Sequence, residues 1–370
     1  MDKTIVYLDH AATTPAEEAV IRAMADCMRG VPCNASAAYG AAGDARRVHR
    51  LCRRQLADML ACPPEDIYFT SGGTEANNWV IRAFAGSAMA VSAIEHHSVL
   101  RPAQSCASSL TLIPPDQTGY VSPEALESAL RPGIKLLCLQ AANNETGVLQ
   151  PLREAYALAR ARGVHLHVDA VAAFGHIPLY ADCCDSMSLS AHKFYGPRGV
   201  GALYLRGGKR LSPLMLGGSQ ERGMRAGTEN TPAICGLHVA ARLAQDDLHL
   251  RAERERALLS AFVSRLEASV PGLVQLGKDR PRLPGVAALM LPAVSAEYAI
   301  AKLDLAGVLV SGGAACASKD GAPSHVFTAM GLPAQDALHV IRVSVGRPTT
   351  AAARDAAAAA IEALIPPPAR

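Results

Sequence analysis

Aromatic residues are scarce in this chain: one tryptophan, nine tyrosines and six phenylalanines, or 4% of 370 residues. Proteins that hold single-stranded nucleic acid stack its bases on aromatic rings set among cations. The strongest basic stretch, Arg46, Arg47, Arg50, Arg53 and Arg54 in the helical pattern 44–60, has no interleaved aromatics. It reads as a solvated helix face. An excess of one charge is also lacking. Thirty-six Lys and Arg face 33 Asp and Glu, and the net charge of +3 does not argue for a nucleic-acid partner. No apolar run reaches the length of a membrane span, and Met1-Asp2-Lys3-Thr4 leads straight into a strand pattern rather than a secretory leader. A cytoplasmic protein without a membrane partner is expected. Ten cysteines are many, but no two have Cys-x-x-Cys spacing, which argues against zinc-ribbon and thioredoxin motifs. Most should be reduced packing residues, and no metal is expected.

What is present is a globular chain. Half the residues are hydrophobic and the mean hydropathy is +0.13. The length allows two domains. Residues 5–8 form a short strand pattern, 17–28 and 44–60 helical ones. From Ile67 onward strand patterns (67–69, 88–92, 136–140, 165–168, 186–189) alternate with helical ones, the signature of an α/β fold with a mainly parallel sheet. A long helical stretch, 232–269, is charged around 246–256. After it come strand patterns at 289–291, 308–310 and 341–345, then the alanine-rich helix 351–360 and Pro366-Pro367-Pro368. This predicts a large α/β domain over 15–250 and a smaller α+β domain from 1–14 and 251–370.

Three stretches carry chemistry. Ser190-Ala191-His192-Lys193 follows an apolar run and precedes Gly196-Pro197-Arg198-Gly199. A lysine there is packaged for condensation with a carbonyl, partly desolvated and with room for a ligand. Alone, Lys193 would read as a surface-turn lysine. His165-Leu166-His167-Val168-Asp169 places His165, His167 and Asp169 on one strand face, with the acid at the carboxyl end where open α/β sheets bind ligands. A carboxylate there can pair with a protonated ring nitrogen. The same face could instead supply ligands to a metal hydrolase. Ser71-Gly72-Gly73-Thr74-Glu75-Ala76-Asn77 follows a strand and opens a helix, a phosphate cradle of backbone N–H groups.

Together with Tyr7–Thr14, Glu95-His96, Asn143–Gly147, Glu221–Asn230 and Arg342-Val343-Ser344, in that order, these stretches resemble a NifS/IscS-type cysteine desulfurase. That family is a class V, fold-type I group of pyridoxal-phosphate enzymes, and the resemblance covers nearly the whole chain. It implies pyridoxal 5'-phosphate on Lys193, with Asp169 at the pyridine nitrogen and His96 stacked on the ring as a possible proton shuttle. Gly73, Thr74, Ser190 and His192 would hold the phosphate, joined by Thr228 from the other subunit of a homodimer. Asn144 would lie by the phenolic oxygen and the substrate, and Arg342 would take the α-carboxylate. Cys316, on the small-residue stretch 310–321, is the expected nucleophile toward the sulfur of L-cysteine. The product would be L-alanine, with a persulfide destined for an unidentified acceptor protein, in iron–sulfur cluster assembly or other sulfur transfer.

Departures are Ala172 where the family has glutamine, Tyr39 where it has histidine, and a thiol, Cys33, at the start of the same early loop. The chain also stops soon after its last helix. A selenocysteine lyase or other class V activity, and a cofactor-binding partner protein of low turnover, are the remaining alternatives.

Overall fold

The computed structural model of the chain describes residues 5–208, 211–313 and 322–365. Its strands are β1 Val6–Tyr7, β2 Ile67–Thr70, β3 Ala88–Ser92, β4 Ser109–Ile113, β5 Ile134–Gln140, β6 His165–Asp169, β7 Ser186–Ser190, β8 Gly201–Leu205, β9 Val274–Leu276, β10 Val286–Met290, β11 Val308–Leu309, β12 Ser311–Gly312 and β13 Val340–Ser344. The helices are α1 Glu18–Gly30, α2 Gly43–Leu60, α3 Gly73–Ala83, α4 His97–Cys106, α5 Pro123–Ala129, α6 Leu152–Ala161, α7 Thr231–Asp246, α8 Leu248–Ser269, α9 Ala296–Leu305, α10 His325–Ala329, α11 Ala334–Ala337 and α12 Ala351–Glu362. None is long and apolar enough to cross a membrane.

Seven strands form the main sheet, in the order β2-β8-β7-β6-β5-β3-β4. All pairings are parallel except those of β8, which runs against both neighbours. Alternation along each strand feeds two apolar layers. In β6, Leu166 and Val168 enter the layer shared with α2, α6 and α7. The opposite layer packs Trp79 and Val80 of α3 and Val99 of α4 on Tyr68, Met89, Val91, Leu136 and Leu203. The polar residues of β6 face that second side, under α3.

A four-stranded antiparallel sheet, β12-β13-β10-β9, lies behind a separate apolar cluster. That cluster draws Val6 and Leu8 from the N-terminus together with α8, α9 and α12. β1 pairs in parallel with β11, and Asp9 bridges to Ser344. The expected continuous helix over 232–269 is broken. Asp247 leaves helical geometry at φ −119°, ψ 12°, and its carboxylate is held by Arg251 and Arg347 at 3.3 and 3.1 Å. The nine described cysteines are free thiols, and five of them are buried.

Candidate active site

β6 ends at Asp169, β7 ends at Ser190, and a single 3₁₀ turn, Ala191–Lys193, follows. Strand carboxyl ends in a parallel sheet open onto one crevice. Here that crevice is a cavity of about 480 Å³ that gathers Gly73, Thr74, His96, Asn144, Asp169, Ser190, His192, Lys193 and Arg342. Two larger grooves, of about 710 and 540 Å³, lie elsewhere and contain none of these residues.

Asp169 is fixed by a directed chain of hydrogen bonds. Asn77 Nδ2 donates to its Oδ2 at 2.7 Å, and the Val171 N–H to its Oδ1 at 2.9 Å. Asn77 Oδ1 accepts from Ser188 Oγ at 2.6 Å and from His167 Nε2 at 3.0 Å. An amide oxygen only accepts, so His167 carries its proton on Nε2 and its Nδ1 accepts from Ser186 Oγ at 2.9 Å. His165 Nε2 lies 2.8 Å from the same hydroxyl. Both rings turn to the Ser186 hydroxyl while Asp169 turns to Asn77 and Val171, so the three are not grouped as a ligand set, and among the described residues no three His, Cys, Asp or Glu side chains are. Burial pushes the His167 pKa down to about 3, so the ring stays neutral.

His96 caps α4: its Nδ1 accepts from the Ser98 N–H at 3.1 Å. Burial lowers its pKa, opposed by Asp169 and helped by Lys193. Beneath it Glu95 is fully buried, and burial together with Asp169 holds its carboxyl well above the usual range. Lys193 Nζ donates to the carbonyls of Ala11 and Ala12 at 2.6 and 2.9 Å. His192 Nδ1 lies 3.1 Å from Thr13 Oγ1, and burial drops its pKa to about 4.

The first turn of α3 leaves N–H groups that no helical carbonyl can take. Gly73 lets that turn come close to Val171, where a Cβ would lie 2.3 Å from the Val171 Cγ2. Arg342, 2% exposed, departs from expectation. It already has a resident carboxylate: its Nη2 donates to Asp9 Oδ1 at 2.8 Å and to Ser311 Oγ at 2.9 Å, and its Nη1 to the Asn144 carbonyl at 3.0 Å. A buried guanidinium needs an anion, and Asp9, quoted in the sequence only as part of a motif, supplies it.

Two predicted residues are not in this cavity. Thr228 lines a neighbouring cavity of about 230 Å³ with Ser71 and Gly199. Cys316 lies outside the described residues. Sequence reasoning gave no role to Asn77, Ser98, Ser186 or Asp9. Asn77 had a signal: it sits four residues past Gly73, on the helix face turned to the sheet, where a buried amide must find partners.

The aminotransferase class-V model matches residues 6–355. The chain belongs to that family. Among its class-V relatives, cysteine desulfurase IscS of Dictyoglomus turgidum is 38% identical over 359 residues, spanning 94% of this chain and 91% of that protein. A cysteine desulfurase of Bradyrhizobium diazoefficiens is 37% identical, spanning 97% and 94%. A solved NifS-like protein superposes with a TM-score of 0.90 at 30% identity, covering 98% of this chain and 99% of that one. The structure of SspA in complex with cysteine matches with a TM-score of 0.83 at 31% identity, covering 93% and 99%.

Pyridoxal 5'-phosphate fits the class-V site by its donor set. Asp169 is a buried, doubly hydrogen-bonded carboxylate facing the cavity, suited to a protonated pyridine nitrogen. The α3 N-terminus and Ser190 suit a phosphate, and Lys193 supplies the amine.

Proposed function

We propose that this protein is a pyridoxal-phosphate-dependent cysteine desulfurase. It converts L-cysteine and an enzyme thiol to L-alanine and an enzyme persulfide, with Cys316 as the thiol. The observation that carries this reading is the convergence of Lys193, Asp169, His96 and Arg342 on one cavity at the carboxyl ends of β6 and β7.

When bound, the cofactor supplies a carbonyl for amines and an electron-withdrawing ring. The residues do the rest. Lys193 is the attachment point and, once released, a base within the cavity. Asp169 keeps a positive charge on the ring nitrogen, held in place by Asn77 and Val171. Neutral His96, its Nδ1 occupied by Ser98, presents Nε2 to the cavity as a proton carrier. Arg342, oriented by Asp9 and Ser311, takes the substrate carboxylate. The site is completed in a homodimer, with Thr228 reaching the partner's phosphate. The two domains are 15–250 and 1–14 with 251–370. The enzyme is cytoplasmic and passes sulfur to an acceptor protein, toward iron–sulfur clusters or other sulfur transfer.

The test is direct. Borohydride reduction and peptide mapping should place the cofactor on Lys193. Cys316→Ser should keep the cofactor spectrum and its response to L-cysteine, yet lose the persulfide and nearly all sulfide release. A serine hydroxyl is scarcely ionised near neutral pH and is a poor nucleophile toward sulfur. Sulfide release at the wild-type rate would reject Cys316 as the nucleophile.

A further inference from the structure

Next to the main cavity, and sharing Ala11, Asn144, Ala172 and Lys193 with it, lies a small enclosed space of about 30 Å³ bordered also by His10, His176 and Glu255. His10, His176 and Glu255 have no part in the chemistry described above. One of them reaches the lysine. His176 Nε2 is 2.8 Å from the Lys193 carbonyl oxygen.

The backbone explains why that carbonyl needs a partner. Ala191–Lys193 is a single turn, and Phe194 leaves it at φ −128°, ψ 48°. Tyr195 then sits in the left-handed region, φ 67°, though it is not glycine. The turn ends here, and a side chain from outside it reaches the Lys193 carbonyl. The preceding carbonyl, His192, is held in the same way by Thr14, through its N–H at 2.9 Å and its Oγ1 at 3.0 Å. Thr14 Oγ1 also accepts from the Tyr195 N–H at 2.6 Å. Two carbonyls flanking the lysine are therefore held from outside the turn, one by the N-terminal segment and one by His176.

The tautomer of His176 is set by its other side. Arg251 Nη1 lies 3.3 Å from Nδ1. A guanidinium only donates, so Nδ1 accepts and Nε2 carries the proton that the carbonyl requires. Burial, aided by Arg251, keeps the ring neutral. Arg251 itself is 4% exposed. It donates to the Gly175 carbonyl and to Asp247 Oδ1 at 3.3 Å, and lies 3.7 Å from Glu255 Oε1. Arg251 and Glu255 belong to α8, whose apolar face packs into the cluster of the second sheet.

We propose that His176 is a positioning residue for Lys193: oriented by Arg251 of α8, it clamps the lysine's backbone so that the amine faces the cofactor site. This rests on the reading of Lys193 as the cofactor-bearing residue. The clamp also ties the lysine to α8, and so to the sheet that supplies Arg342.

The test compares His176→Phe with His176→Gln in the full-length protein. Phenylalanine fills the ring's volume but can neither donate nor accept. Glutamine can donate from Nε2 and accept at Oε1, so it should restore both contacts. The probe is pyridoxal 5'-phosphate. Its rate of loss from the loaded enzyme is followed by visible absorbance, alongside thermal unfolding of the cofactor-free proteins. His176→Phe should release the cofactor about three- to tenfold faster, the range set by one lost hydrogen bond, and His176→Gln should return to near the wild-type rate. Equal rates in all three proteins overturn the clamp, as does a folded glutamine variant that loses cofactor as fast as the phenylalanine one. Should His176→Phe not fold, retention by His176→Gln together with rapid loss in His176→Leu or His176→Ala decides for the clamp, and retention in all decides against it. A wild-type protein that carries the cofactor on another lysine rejects the site reading itself, a separate outcome visible by peptide mapping.

Discussion

A guanidinium that is 2% exposed keeps its charge only if something anionic faces it, and Asp9 does so for Arg342. The pair comes from the N-terminal segment and β13, joined where Asp9 bridges to Ser344. Asp9 takes one edge of the guanidinium and leaves the fork aimed by Ser311 and the Asn144 carbonyl. Lysine at this position would keep the charge and lose the planar fork. A hydrogen bond to a charged group contributes roughly 1.5–3 kcal/mol, so Arg342→Lys should raise KM for L-cysteine about ten- to a hundredfold, with kcat much less affected. The visible spectrum of the loaded enzyme should stay unchanged. An unchanged KM would mean that Arg342 serves the fold alone. At this scale the sequence was a good guide to residue types with few tolerable environments. Lys193, Asp169 and Arg342 are costly to bury, and each lies at the cavity. It was a poor guide to their partners, because Asn77, Asp9 and His176 are polar residues with many ordinary uses. Only the packing of distant segments shows which use applies.

Elements decide how close the cofactor can come. The start of α3 lies against the end of β6 because position 73 has no side chain. A methyl there would meet the Val171 Cγ2, and Val171 is tied through its N–H to Asp169. A β-branched side chain has little rotamer freedom to escape. Gly73→Ala should therefore push apart the first turn of α3 and the strand-end acid and, on the proposed reading of that turn as the phosphate site, weaken retention of pyridoxal phosphate about tenfold or more, the penalty of a modest overpacking. Trimming the obstacle, in Gly73→Ala/Val171→Ala, should recover most of the loss. If the single variant binds as tightly as wild type, the close approach is not what holds the phosphate turn. The strands and helices of this region were legible from period and length, since parallel strands buried on both faces read as short apolar runs. The break at Asp247 was not. No glycine or proline marks it; what marks it in the fold is the pair Arg251 and Arg347 on the Asp247 carboxylate, the second from a segment distant in the sequence.

For the whole molecule, the dominant electrostatic feature is histidine with a lowered pKa. Nine of the twelve histidines have pKa values lowered below the ordinary one, with burial the leading cause in each: His10, His49, His96, His97, His167, His176, His192, His238 and His325. Four fall to about 3 or 4: His10, His167, His176 and His192. Between about pH 6.5 and 4 the unfolded chain takes up these protons and the folded one does not, so folding loses stability as pH falls through that window. Three acids work the other way. Glu95, Glu145 and Glu255 have raised values, the last two at about 7, so the folded state holds their protons over part of the same range. The four rings that fall to about 3 or 4, with five more lowered in the same direction, outnumber the three raised acids, so below about pH 6.5 the net sign is acid destabilisation, above the range where ordinary carboxylates titrate. Thermal unfolding of the purified protein between pH 6.5 and 5 should show a midpoint that falls steadily. His176→Gln, which keeps its hydrogen bonds but cannot titrate, should show a limb shallower by about one proton. A midpoint that stays level or rises on acidification would mean that these rings are protonated in the fold, and the tautomers assigned to His167 and His176 would fall with that result.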